Sequence, residues 1–129
     1  YPDEARRSAE ALRAAGCRIA LDAAGISGQT HNLIGDLGIS IVKLDESLVH
    51  DLADNPLQVI MVEAIHRMAL MCDAVTVAPF IEDDATLRKV RELGLHFGQG
   101  YRLTSPELLD QLAPPAQPGS RGGFFRARG

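Results

Sequence analysis

The sequence has few of the features that point to an extracellular, membrane-spanning or nucleic-acid-binding protein. It contains two cysteines, Cys17 and Cys72, which are too few for a disulfide scaffold and fit a reducing compartment. No apolar run reaches the roughly 18 residues that a membrane-spanning helix needs. The net charge is −4, and residues 114–129 hold three arginines and no acids, so residues 1–113 carry −7. A body this acidic argues against nucleic acid as the main partner, because phosphate binding needs a basic surface. We also expect no membrane contact by this segment.

Targeting signals are also missing from this sequence. It shows no signal-peptide pattern, and it opens at Tyr1 almost directly into a helix-like run. The sequence can be a piece of a longer chain, including a membrane-anchored one, so the missing signals carry little weight. We expect a cytoplasmic location because the two cysteines fit a reducing compartment.

What is present fits one globular domain, with 129 residues, of which 46% are hydrophobic and 23% charged. Segments with apolar residues at helical spacing alternate with short apolar runs. The predicted helices span 3–15, 30–37, 55–72 and 83–94, and a last short helix begins at Ser105. The predicted strands span 17–22, 40–45, 74–80 and 95–101. Strands alternating with helices predict a parallel sheet covered by helices. The Pro-, Gly- and Arg-rich stretch 114–129 predicts a disordered tail.

Polar residues stand at the predicted strand ends, where parallel α/β sheets collect their chemistry. They are Asp22, Lys43, Asp45, Glu82, Gln99 and Tyr101. The histidines have no zinc-like spacing, and no phosphate-binding glycine loop is present, so the sequence indicates no metal or cofactor on these grounds.

Each of these residues also has a purely structural interpretation. Asp22 can cap the loop that follows it, and Glu82 can act as a charge at a helix N-terminus. Lys43 and Asp45 lie two residues apart and face one side of the strand, which suits a structural ion pair as well as a catalytic pair. Gln99 has no obvious role in a core, although it can be a solvated turn residue.

Taken together and in order, the strand-end motifs resemble the EAL domain family, which comprises cyclic di-GMP phosphodiesterases and their inactive receptor relatives. The matching residues are 12–22, 42–45, 77–82, 93–94 and 99–101. The resemblance covers residues 1–113 and implies the C-terminal half, strands five to eight, of a (β/α)8 barrel. The first half, with the Glu-Ala-Leu signature and its metal ligands, would then belong to the same natural protein, or two copies would pair.

The resemblance also implies which residues matter. Active members carry a second Asp after strand five, where this sequence has Ala23, and a Glu after strand seven, where it has Pro79. Two-metal hydrolysis needs carboxylates for both ions, and these two residues offer no side-chain oxygen. We therefore expect a degenerate domain that is not an enzyme. The retained family residues are a vestigial metal ligand, Asp22, and vestigial catalytic groups, Lys43, Asp45 and Gln99.

The expected function is a non-catalytic module of bacterial cyclic di-GMP signalling, either a nucleotide receptor or a protein-interaction scaffold. The nucleotide would bind, in the full-length protein, to the six strand-end residues named above. The alternative is an active phosphodiesterase with relocated ligands such as Asp22 and Glu82. Active relatives use Mg or Mn, whereas we expect no metal on this chain.

Protein partners or a second copy would bind at the open sheet edges or at the apolar face around Val59, Met61 and Val62. An unrelated α/β domain is the remaining interpretation.

Overall fold

The computed structural model describes residues 3–25, 29–101, 103 and 124–126. Within these ranges, helices and strands alternate from the first residue described. The helices are Asp3–Ala14 (α1), Thr30–Asp36 (α2), Glu46–Val49 (α3), Pro56–Met71 (α4) and Asp84–Glu92 (α5), with a 3-10 turn at Leu52–Asp54. The strands are Ala20–Ala24 (β1), Ile41–Leu44 (β2), Val75–Ala78 (β3), Phe97–Gln99 (β4) and Phe124–Arg126 (β5).

The strands form one sheet in the order β1-β2-β3-β4-β5, so neighbours in the chain are neighbours in space. The first four strands are parallel, and β5 runs antiparallel to β4. A helix lies between each pair of successive parallel strands. The predicted α/β class, with a parallel sheet covered by helices, is therefore confirmed.

Burial alternates from residue to residue along β2, and this pattern distinguishes the two faces of the sheet. Val42 and Leu44 are fully buried, while Lys43 between them is only partly buried. Successive side chains of a strand point to opposite faces, so Lys43 lies on the face away from the covering helices. The core fills the helix-covered face. Its fully buried large side chains include Ile34, Val49, Leu52, Val62, Ile65, Ile81, Val90 and Leu95.

One polar cluster lies in the packed region between α4 and the sheet. The Nδ1 atom of His66 lies 2.8 Å from Oγ1 of Thr76, and the Thr76 backbone N–H donates to Nδ1 of His96 at 3.0 Å. The two imidazole rings are 5.3 Å apart between centroids. His66 is therefore a satisfied core residue, since buried polar groups are stable only with hydrogen-bond partners.

The first strand departs from its predicted span of 17–22. Its ladder with β2 starts at Ala20, and the register is interrupted between Leu21 and Ala24, where Ala24 pairs with Leu44. The bulge lets the strand continue beyond Asp22, because the extra residue is absorbed without ending the pairing. A sequence pattern of small residues does not distinguish such a bulge from a loop.

The predicted tail also differs at three residues. Phe124–Arg126 form β5, with Gly98 opposite Phe125 and Gln99 opposite Phe124. Without β5, the outer edge of β4 would present unpaired backbone groups, and an extended segment can pair with them. The composition of the tail does not indicate this pairing, because it depends on a strand elsewhere in the chain. The remainder of the tail and the predicted helix at Ser105 lie outside the described residues. Among the residues that are described, no helix combines the length and apolar character needed to cross a membrane.

Candidate functional site

The carboxyl ends of β1 to β4 meet at one rim of the sheet, which is open on the side away from the core. Three adjoining cavities of about 300, 340 and 420 Å³ lie along it. The first cavity is lined by Lys43, Glu82, Gln99 and Tyr101. The second and third are lined by Asp22 and Asp45, and Lys43 also lines the second. All six predicted strand-end residues therefore lie on this rim, with Lys43 shared between the first two cavities.

The tip of β1 is shaped by the bulge at Asp22 and Ala23. The backbone of Ala23 adopts a left-handed conformation, with φ of +53°, and its N–H donates to Oδ1 of Asp22 at 2.8 Å. Both residues are exposed. One carboxylate oxygen of Asp22 thus caps its own turn, as the structural interpretation predicted, while the residue also lines the rim.

The tip of β2 leads directly into helix α3, and Asp45 is the N-cap of that helix. Its Oδ1 accepts hydrogen bonds from the Ser47 hydroxyl at 2.6 Å and from the Ser47 backbone N–H at 2.8 Å. These two bonds, the hydroxyl bond first, hold the pKa of Asp45 below its usual value. Within the described part of the chain Asp45 forms no salt bridge with Lys43, so the ion-pair interpretation is not realised there.

The tips of β3 and β4 are joined by the loop that carries Glu82. The Ile81 backbone N–H donates to the Gln99 carbonyl at 2.9 Å. Gly100 has φ of +151°, and a Cβ there would fall 2.3 Å from the Ile81 nitrogen. The close approach of these two loops therefore requires glycine, and it brings Glu82 to the same cavity as Gln99.

Helix α5 is capped by the neighbour of Glu82. Asp83 accepts a hydrogen bond from the Thr86 backbone N–H at 2.6 Å, and this bond holds the pKa of Asp83 below its usual value. Glu82 itself precedes the cap and is exposed on the rim. The cap is thus supplied by another residue, which leaves Glu82 available to a ligand.

The rim also contains an exposed aromatic residue that the prediction did not single out. Phe80 is 51% exposed and has φ of +56°, a conformation that a bulky residue rarely adopts. It lines the first two cavities beside the buried Pro79. The sequence does show an aromatic residue within a strand-end motif, which could have marked Phe80 as a candidate. It gives no sign of the left-handed backbone at this position.

Chemically, the rim combines one ammonium group, the four carboxylates of Asp22, Asp45, Glu46 and Glu82, an amide and two exposed aromatic rings. Among the described residues, no cluster of three or more His, Cys, Asp or Glu side chains is arranged to hold a metal ion. Magnesium or manganese at Asp22 would require further oxygen ligands. The side chains described here do not complete such a site by themselves.

Four parallel strands in chain order, with helices on one side and polar strand ends on one rim, have the arrangement of part of an α/β barrel. The chain belongs to the EAL domain family, whose pattern it matches over residues 1–106. It is 27% identical over 110 residues to cyclic di-GMP phosphodiesterase PdeF of Escherichia coli K12, covering 84% of this chain and 15% of that protein. It is 34% identical over 100 residues to cyclic di-GMP phosphodiesterase PA2567 of Pseudomonas aeruginosa, covering 78% of this chain and 17% of that protein.

Solved structures agree with this assignment. The PaMucR phosphodiesterase in complex with c-di-GMP superposes with a TM-score of 0.77 at 26% identity, over 86% of this chain and 45% of that one. The FimX EAL domain of Pseudomonas aeruginosa bound to c-di-GMP superposes with a TM-score of 0.72 at 22% identity, over 79% of this chain and 42% of that one, and supports the fold alone. The chain thus spans less than half of each of these chains, as predicted for a partial barrel.

The prediction that the chain is not an enzyme is wrong as a statement about its family. Five similar bacterial proteins are named as cyclic di-GMP phosphodiesterases, one of them as probable. The prediction counted metal ligands in a sequence that spans less than half of an EAL domain. Ala23 and Pro79 supply no side-chain oxygen, but the ligand set of a barrel rim is contributed by the whole ring of strands.

Proposed function

We propose that this chain supplies the C-terminal part of a cyclic di-GMP-binding site in a bacterial signalling protein. Residues 1–113 form the EAL part, and residues 114–129 lie outside it. The family match and the c-di-GMP complex of the PaMucR phosphodiesterase support the choice of ligand. The two exposed free cysteines favour a cytoplasmic setting, where thiols stay reduced.

The observation that carries this proposal is that six polar strand-end residues share one rim with two exposed aromatic rings. Cyclic di-GMP offers two anionic phosphates and two guanine bases. Lys43 is the cation positioned to meet a phosphate. The carboxylates of Glu82 and Asp45 can accept hydrogen bonds from the donor edge of guanine, and Phe80 and Tyr101, 51% and 64% exposed, offer faces on which a base can stack.

Hydrolysis of the same nucleotide is the second candidate, because the named relatives are phosphodiesterases. Asp22 and Glu82 are the carboxylates of this chain that such a reaction would use, together with ligands from other parts of the parent protein. A protein-interaction scaffold would remain if the nucleotide did not bind at all.

Calorimetry on the full-length natural protein tests nucleotide binding. We expect a saturable heat with cyclic di-GMP, at least about tenfold weaker binding for Lys43→Ala because a phosphate loses its cation, and unchanged binding for Lys89→Ala. Lys89 is the matched control, since it is the second lysine of the chain and pairs with Glu92 on α5. Absence of heat at high micromolar nucleotide, or equal binding by both variants, would overturn the proposed site.

The same preparation distinguishes binding from turnover. Chromatography would follow conversion of the cyclic nucleotide to a linear dinucleotide in the presence of Mg or Mn. Turnover that Asp22→Ala abolishes would identify Asp22 as part of the hydrolytic machinery. Binding with no turnover would identify a receptor.

A further inference from the structure

Of the surfaces on which the sequence placed a partner, the apolar face around Val59, Met61 and Val62 is not available. Val62 is fully buried, and Val59 and Met61 pack against the core. An almost uniformly apolar helix does not reveal from its sequence which side meets the sheet. The sheet edges are therefore the predicted surfaces that remain, and one of them is already occupied.

The occupied edge is the outer edge of β4, where β5 pairs antiparallel to it. Gly98 lies opposite Phe125 and Gln99 lies opposite Phe124, so β5 begins at the rim end of β4. The other edge of β4 pairs in parallel with β3. Among the strands that the structure describes, β5 is the only antiparallel one. It therefore does not continue the alternation of strand and helix that builds the rest of the sheet.

The position of β5 is one that a closed barrel needs. In a closed barrel every strand pairs on both sides, and no edge is left. The four parallel strands of this chain are an open part of such a ring, since the chain superposes on 45% of the PaMucR phosphodiesterase and 42% of the FimX EAL domain. The remaining strands of an EAL barrel can complete the ring only if they pair with the outer edges of both β1 and β4. One of those strands and β5 thus compete for the same backbone groups.

The ladder between β4 and β5 is short, and its middle pair includes a glycine. It contains three residue pairs, whereas strands in globular proteins are usually about five to six residues long. Gly98, the middle residue of β4, has no side chain for a cross-strand contact. The backbone hydrogen bonds of such an edge are available to any extended segment that approaches in the same direction. The strand β5 can therefore be exchanged for another.

Exchange at this edge would reach the rim directly. Gln99, the last residue of β4, lines the first cavity together with Lys43, Glu82 and Tyr101. A strand that replaced β5 would bring its own end residues next to Gln99. The ring of strands around the rim cannot close on this side while β5 is paired there.

We propose that β5 is a replaceable edge strand, which occupies the outer edge of β4 until a strand from the rest of an EAL barrel takes its place. The partner is an extended strand with free backbone groups, supplied by the part of the barrel that this chain does not span. For its effect on the nucleotide the inference rests on the proposed function, whereas strand exchange itself does not.

Binding of a fluorescein-labelled synthetic peptide of residues 119–129 measures whether the edge accepts a strand. In the full chain, Phe125→Pro should release β5, because proline lacks the backbone N–H that a ladder uses. By fluorescence anisotropy we expect saturable binding of the peptide to this variant. Binding to the parent chain should be at least about tenfold weaker, which corresponds to an edge that is free for less than about a tenth of the time. Ala116→Pro adds a proline outside β5, is the matched control and should behave like the parent.

The peptide measurement has two outcomes that would overturn strand exchange. One is a peptide that does not bind the Phe125→Pro chain, and the other is equal binding by that chain and the parent. A second labelled peptide that carries the same Phe125→Pro change should bind neither chain. Equal binding of the two peptides would show attachment through the label or the arginines, and would likewise refute a strand-accepting edge.

Calorimetry with cyclic di-GMP on the full-length natural protein measures the effect on the rim. Phe125→Pro should bind the nucleotide at least about threefold more tightly than the parent protein, because the closed ring is then populated more often. Ala116→Pro should bind as the parent does. Equal affinity of Phe125→Pro and the parent protein would overturn the role of β5 at the rim. No binding by any of the three would refute the proposed function instead, and the peptide measurement would still decide strand exchange.

Discussion

Asp45 illustrates how a rim residue is fixed by the helix that follows it. Its carboxylate caps α3 through Ser47 and at the same time lines two of the rim cavities. The Ser47 hydroxyl bond is the larger cause of the lowered pKa of Asp45, and the Ser47 backbone bond is the next. The side chain is therefore held in the charged form and in one orientation by local structure.

Ser47→Ala should raise the pKa of Asp45 towards its usual value, because the hydroxyl bond is lost and the backbone bond remains. A carboxyl group whose pKa is lowered on folding stabilises the protein above its unfolded pKa, about 4, and that contribution is lost as the pH falls through the folded pKa. The variant should consequently show a smaller loss of stability on acidification below about pH 4. The carboxyl carbon shift of Asp45 in an NMR titration measures the pKa directly.

Ser8→Ala provides the control for this prediction, since Ser8 is exposed on α1. It should leave the titration of Asp45 unchanged. An Asp45 pKa that is the same in Ser47→Ala and in the parent protein would show that the hydroxyl does not control it.

The sequence predicted the identity of the rim residues better than their local geometry. Asp22, Lys43 and Gln99 could be named because polar residues at strand ends of an α/β sheet share one rim. The left-handed backbones of Ala23 and Phe80 could not, because neither residue is a glycine or an asparagine, the residues that normally indicate such a conformation. The same reasoning explains why the exposed ring of Phe80 was overlooked.

At the scale of the element, helix α4 is the clearest case of a sequence signal that specifies structure. Asn55 accepts hydrogen bonds from the backbone N–H groups of Leu57 and Gln58, at 3.1 and 3.3 Å, and Pro56 is the first helical residue. The predicted start at residue 55 was therefore right to within one residue. The side of the helix that meets the sheet could not be predicted, because apolar residues surround the helix on most sides.

Asn55→Ala should destabilise the protein by about 1 kcal/mol, because two N–H groups of the first turn lose their acceptor. Urea denaturation followed by circular dichroism would measure the change in the free energy of unfolding. Asn32→Ala is the control, since Asn32 is exposed within α2 and alanine is tolerated well there. A loss for Asn55→Ala no larger than that for Asn32→Ala would contradict the capping role.

At the scale of the whole molecule, the two edges of the sheet differ. The edge of β4 is covered by β5, whereas β1 pairs with β2 alone within the described residues. An uncovered strand presents a row of backbone donors and acceptors to any further strand. The uneven burial along β1, where Ala20, Asp22 and Ala23 are exposed, is consistent with its position at the edge.

Truncation after residue 113 should uncover β4 without unfolding the parallel sheet. Hydrogen exchange followed by mass spectrometry should then show roughly tenfold faster exchange in peptides that cover Phe97–Gln99, because the amides facing β5 lose their partners. Peptides that cover Ile41–Leu44, in the interior of the sheet, are the internal reference and should keep their rates. Unchanged exchange over β4 would mean that the C-terminal segment does not protect it.

The order of the strands in space follows their order in the chain, and this bears on how such a protein can be assembled from parts. A cut in any helix-bearing connection between two parallel strands would separate only one hydrogen-bonded ladder, leaving every other pair of neighbours on a single polypeptide. Two fragments made from separate genes could then recombine along one seam. A domain with this connectivity is thus well suited to split-reporter designs, in which reunion of the halves rebuilds the rim and reports that their fusion partners have met.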